Sequence, residues 1–156
     1  MISVHVYPEN AMVGQNFLDH LVISIVSPGR EHPKMQGTNI HKFQFHDITE
    51  EYFLESVNKT IRPIEREIAA SIAQIALDNR DCDRWIIHCE AGISRSPGVA
   101  IGLAKHIALR PGLSRLKTMF QCYNKYVAQL VEEELAKKIE EIGKELHHGM
   151  GSDGGL

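Results

Sequence analysis

A chain of 156 residues is long enough for one domain with a real core and short for two. With 43% hydrophobic and 24% charged residues, it has the balance of an ordinary globular domain and not of a disordered or membrane-spanning chain. The formal net charge of −3 gives no electrostatic reason to expect nucleic acid or an anionic membrane as main partner, so any phosphate site must rest on a local positive field.

Residues 3–7 (SVHVY) alternate and stop at Pro8, which predicts a strand. Leu21–Val26 (LVISIV) is a β-rich apolar run closed by Ser27-Pro28-Gly29, a turn signal, and predicts a buried strand. The polar segment 30–39, with Pro33 and Gly37, is expected to be loop, and 42–46 (KFQFH) a third strand. Ile61, Ile64, Ile68, Ile72 and Ile75 recur at steps of three and four and predict one helical stripe, with Pro63 in its first turn. NRDCD at 79–83 breaks that pattern, and Arg84–Cys89 (RWIIHC) follows as the expected central strand.

A second helix is expected after Ser96, with Pro97 at its first position, running to about Leu109 before Arg110-Pro111-Gly112 ends it. From Asn124, a good N-cap, an apolar stripe of Val127, Leu130, Val131, Leu135, Ile139, Ile142 and Leu146 predicts a last helix to about residue 148. Its final four apolar residues keep heptad-like spacing, but for barely two heptads, so a helix packed on the domain stands beside weak homodimerisation. The Gly-rich stretch 149–156 is expected to be a disordered tail, leaving one domain over 1–148.

Three cysteines, Cys82, Cys89 and Cys122, at irregular spacing argue against a disulfide framework and for a reducing compartment. No basic region followed by a long apolar run opens the chain, and a cytoplasmic location is the expectation. No ligand spacing around residues 82–89 resembles a zinc site, and neither metal nor organic cofactor is implied.

The chemistry concentrates at residues 88–98 (HCEAGISRSPG). Cys89 closes a strand, residues 90–94 make a tight loop around Gly92, and Arg95-Ser96-Pro97 opens a helix. Unpaired N–H groups at a helix start carry partial positive charge and hold oxyanions, and successive loop amides can converge on the same anion. The same field, with a nearby cation, favours the thiolate form of a cysteine, which is the nucleophile. Arg95 can place a planar fork on two phosphate oxygens, and Ser96 is near enough in sequence to hydrogen-bond the sulfur. Glu90 is an odd charge beside an anion site, and its side chain is expected to point away.

This string resembles the signature of the cysteine-based protein tyrosine phosphatase superfamily: His-Cys, five residues, Arg, then Ser or Thr. Its Ala-Gly-x-Ser-Arg-Ser wording is most similar to the dual-specificity branch, and the likeness extends more weakly from about Ser3 to Leu135 through strand and helix order. The resemblance implies a three-layer α/β fold, with a central, mostly parallel sheet of about four or five strands flanked by helices. It implies a phosphocysteine intermediate on Cys89, phosphate held by Arg95 and the backbone of Glu90, Ala91, Gly92, Ile93, Ser94 and Arg95, thiolate release aided by Ser96, and a loop braced by His88.

The family also uses an aspartate from a separate upstream loop as general acid. Asp78, Asp81 and Asp83 lie too near the strand leading into Cys89, whereas Asp47 follows the third strand, 42 residues before Cys89. Asp47 is therefore the candidate acid; a capping box at 47–50 (DITE) is its competing structural role, and His46 a weaker alternative. Cys82 is a candidate partner for an oxidised Cys89.

The expected substrate is a phosphorylated protein or a small phosphomonoester. A same-fold phosphatase acting on a phosphoinositide, nucleotide or RNA 5′ end is the alternative, though the loop lacks lysine; a non-catalytic phosphate-binding module fits an intact Cys89, Arg95 and Ser96 less well. Arsenate reduction would place the cysteine motif near the N-terminus.

Overall fold

The computed structural model describes residues 1–48 and 61–153, and side chains as far as residue 147. Five strands, β1 (Ile2–Pro8), β2 (Leu21–Val26), β3 (Ile40–Gln44), β4 (Arg84–Cys89) and β5 (Leu109–Arg110), form one sheet in the order β3-β2-β4-β1-β5. Every pairing is parallel. The helices are α1 (Arg66–Asp78), α2 (Arg95–Ala104), α3 (Leu113–Met119) and α4 (Lys125–Asp153). The α/β fold with a parallel sheet between flanking layers is the expected one.

Both faces of the sheet are covered, which is why β2 is buried along its whole length and apolar at every position but Ser24. On one face Ile23, Ile25, Ile87 and Val4 join Ile72, Val99, Ile101, Val127 and Val131 in the main core. On the other, Val22 and Ile86 pack against Met12 and Phe17 from the segment after β1, with Met35 alongside.

Two glycines set the helix packing. A Cβ on Gly98 would stand 2.7 Å from the Asn124 carbonyl oxygen, and one on Gly102 2.7 Å from that of Ala128. The backbones of α2 and α4 therefore cross close together, with Val127 and Val131 against the glycines. This crossing brings the first turn of α4 to the start of α2.

Several elements differ from the sequence reading. Helix α1 begins at Arg66, so Pro63 lies before it. The backbone of Arg62 is instead paired with His46: the His46 N–H donates to the Arg62 carbonyl at 2.6 Å, and the Arg62 N–H donates to His46 Nδ1 at 2.9 Å. Ile64 is still buried, but from the segment before the helix. Helix α2 starts at Arg95, which makes Pro97 its third residue, still among the positions whose N–H has no intrahelical acceptor. It ends at Ala104, and Leu109–Arg110 pairs with Ile2 and Ser3 as an edge strand too short to carry a periodic signal. Helix α3 lacked a recognised pattern. The third strand is Ile40–Gln44, two residues earlier than 42–46.

Helix α4 continues past Gly149 to Asp153, because adding residues to an established helix is far easier than starting one. The tail expected from Gly149 is thus helical over its first part, and 154–156 lie outside the described residues, as do Thr49 and Glu50 of the proposed capping box. Along α4, Leu135 is fully buried, whereas Ile139, Ile142 and Leu146 are exposed. Among the described residues no helix is long and apolar enough to cross a membrane.

Candidate active site

Because all strands run the same way, the segments after β1, β2, β3 and β4 leave from one edge of the sheet. That edge, the carboxyl ends of the strands, is where open α/β sheets bind ligands. It gathers Glu9, residues 27–30, residues 45–47 and residues 90–94 around Cys89, the last residue of β4.

The loop after Cys89 folds back over its sulfur. The Gly92 N–H donates to Cys89 Sγ at 3.2 Å, and the Ser96 hydroxyl donates to it at 3.1 Å. Gly92 has φ +72°, and a Cβ there would meet Pro8 N at 2.7 Å, so glycine is required by both conformation and space. Cys89 and Ser96 are both buried, and their contact is the one that sequence proximity suggested. The Ser94 side chain, at the N-cap position, makes no capping hydrogen bond to the first turn of α2.

Arg95 is 5% exposed. Its Nη1 donates to the Phe45 carbonyl at 2.8 Å and the Ser27 hydroxyl at 3.1 Å, and its Nη2 lies 3.5 Å from Glu90 Oε1. Its Nε is buried with no hydrogen-bond partner among the described residues. Glu90 does not turn away from this group, contrary to the sequence expectation: its carboxylate also accepts from the Ser27 N–H at 3.0 Å and pairs with Arg30 at 3.0 Å. Partial burial opposes its ionisation, but the Ser27 N–H and hydroxyl and the two guanidinium charges outweigh that and hold the Glu90 carboxyl below its ordinary range. Ala91 and Ile93 are exposed on the loop, and Ser94 is half-buried.

Asp47 is brought to this loop. Its Oδ1 accepts from the Ser94 hydroxyl at 2.7 Å and from Asn124 Nδ2 at 2.8 Å. Asn124 also donates to the Ile48 carbonyl at 2.9 Å, while its Oδ1 caps α4 by accepting from the Val127 N–H at 2.9 Å. Sequence reasoning found Asn124 only as a cap and missed its hold on Asp47. His46 Nδ1 accepts from the Arg62 N–H, which fixes that ring on the segment before α1 and leaves the proton of a neutral imidazole on Nε2.

His88 is fully buried. Its register partner on β2 is Ser24, and the Ser24 hydroxyl lies 2.5 Å from His88 Nε2 and 2.7 Å from His32 Nδ1. On its other side, His88 Nδ1 faces the Cys89 carbonyl at 3.4 Å. A neutral His88 that donates from Nδ1 accepts the Ser24 hydroxyl hydrogen bond at Nε2, and the Ser24 oxygen then accepts from His32 Nδ1–H. Burial is the main cause that lowers His88 to about 4; the Cys89 carbonyl opposes it, and His32 and Arg95 add to it. Ser24 and His32 were missed by sequence reasoning. The available signal was a lone polar residue in the middle of LVISIV.

Cys82 lies before the start of β4 and Cys89 at its end. The strand alone spans roughly 17 Å, far beyond the approach of about 7 Å that a disulfide needs. The suggested Cys82–Cys89 pairing is therefore excluded by the fold, and Cys82 Sγ instead faces the Arg84 carbonyl at 3.4 Å.

Comparison of the chain with protein-family models, curated proteins and solved structures found no match.

Proposed function

We propose that this protein is a cysteine-dependent phosphomonoester hydrolase of the protein tyrosine phosphatase type, on its dual-specificity side, acting in the cytoplasm on a phosphorylated protein or small phosphomonoester. One observation carries the reading. A sulfur with two hydrogen-bond donors sits in the same short loop as a buried guanidinium whose Nε lacks an acceptor among the described residues. A buried N–H without a partner is unfavourable, and a phosphate oxygen seated in the loop supplies the missing acceptor.

In this mechanism the Cys89 thiolate attacks phosphorus, an S–P bond forms, and the bond from phosphorus to the leaving oxygen breaks. Asp47 delivers its proton to that oxygen. Arg95 and the loop amides hold the three remaining oxygens through the transfer, where charge spreads over them. Water then attacks the phosphocysteine, Asp47 takes a proton from it, the S–P bond breaks, and inorganic phosphate leaves. The Ser96 hydroxyl supports the departing sulfur through its existing hydrogen bond.

The test is a panel of phosphotyrosine and phosphothreonine peptides, phosphoinositides and nucleotides, with Cys89→Ser as the blank. Hydrolysis of phosphopeptide by the wild type alone is expected. Turnover that survives in Cys89→Ser sinks the nucleophile assignment, and exclusive hydrolysis of a non-protein phosphate moves the substrate class.

A further inference from the structure

Glu90 poses an electrostatic problem within the phosphatase reading. A carboxylate in the phosphate loop repels the anion that the loop is to hold, and it competes for Arg95. The molecule meets this with Arg30, on the turn after β2. Arg30 Nη1 pairs with Glu90 Oε2 at 3.0 Å, and its Nη2 with Glu9 Oε2 at 3.1 Å. The turn is held in turn by Gln44, whose Nε2 donates to the Arg30 carbonyl at 3.2 Å, and the Glu9 N–H donates to the Glu90 carbonyl at 3.1 Å. One cation thus stands between two acids at the edge of the site.

We propose that Arg30 is a positioning residue for phosphate binding: it holds the Glu90 carboxylate on the β2 turn and offsets its charge, which weakens the pull of Glu90 on Arg95 Nη2 and lets Nε and Nη2 turn to the substrate. The inference rests on the phosphatase reading and adds to it a residue outside the motif. Without Arg30, the cation left paired with Glu90 among the described residues is Arg95 at 3.5 Å. Arg95 is buried and so weakly screened, which makes a change in its pairing count for more than the loss of an exposed ion pair.

The experiment uses the full chain, with inorganic phosphate as a competitive inhibitor of aryl phosphate hydrolysis. Arg30→Ala is expected to raise the inhibition constant about tenfold, a size set by one uncompensated charge near the anion, with the loss falling on KM more than on kcat. Arg30→Lys should recover most of it, since a point charge is enough for neutralisation. In a Glu90→Gln background, Arg30→Ala should have little further effect, because the amide still accepts the Ser27 N–H but carries no charge. Urea midpoints check that each variant is folded. An Arg30→Ala loss of equal size in both backgrounds overturns the inference, as does no loss at all. A wild type that neither hydrolyses aryl phosphate nor binds phosphate takes down the phosphatase reading beneath it, whereas an active wild type indifferent to Arg30 overturns this inference alone.

Discussion

At the scale of single residues, the site depends on atoms whose partners leave little freedom. Asp47 is held by the Ser94 hydroxyl and Asn124 at one carboxylate oxygen, on a segment also gripped through the Phe45 and Ile48 carbonyls. Those ties hold the carboxylate beside the loop, as a tether and an acid both require. The two roles part in their leaving-group dependence. Asp47→Asn keeps an oxygen for both donors but loses the proton, and turnover of an aryl phosphate with a poor leaving group is expected to fall about 10²-fold or more. With a strongly acidic phenol as leaving group the drop should be much smaller. Equal rates for wild type and variant with the poor leaving group would reduce Asp47 to a tether.

At the scale of elements, the close crossing of α2 and α4 carries Asn124 to the loop. Gly98 and Gly102 occupy successive turns of α2 and meet equivalent backbone oxygens at the same 2.7 Å, so alanine at either pushes α4 away. Alanine is the better helix former by about 1 kcal/mol, but overpacking costs about 1–3 kcal/mol, and a net loss of stability is expected for both. The two should differ in activity. Gly98→Ala displaces Asn124 itself, whose backbone N–H also donates to the Ser94 carbonyl at 2.9 Å, and should lower turnover as well as stability. Gly102→Ala acts one turn further along and should lower the urea midpoint with turnover nearly kept. Identical activity losses would mean that the crossing is only a packing contact.

At the scale of the whole molecule, His88 links the site to folding. A histidine lowered to about 4 is neutral in the folded protein at pH 7, while the unfolded chain titrates near 6.5. Between those values the unfolded state binds a proton that the folded state refuses, so stability is full above about 6.5 and declines as pH falls toward 4. By pH 5 the loss from this group is about 2 kcal/mol. His5 and His32 are lowered too, mainly by burial, and act in the same direction. Urea midpoints from pH 7 to pH 5 should therefore fall in the wild type, and His88→Asn should flatten part of that slope. A wild-type midpoint constant across the window would contradict a neutral buried His88.

What the sequence by itself determined is local. The strand Arg84–Cys89, the tight turn at Gly92 and the helix opening at Arg95 are adjacent in the chain, so one string carries the candidate nucleophile, cradle and sulfur donor. The apolar strands and the last helix were legible for the same reason, because their periodicity lies within each element. Only the tertiary structure decided what the parallel sheet gathers at its carboxyl edge: Asp47 and Asn124 beside Ser94, Ser24 and His32 beside His88, Arg30 beside Glu90. It also decided that Arg62 pairs with His46 and so delays α1 past Pro63. These contacts join segments that a single chain cannot reveal as neighbours. Each depends on strand order and register, which follow from how the whole apolar surface is buried and not from any one stretch of residues.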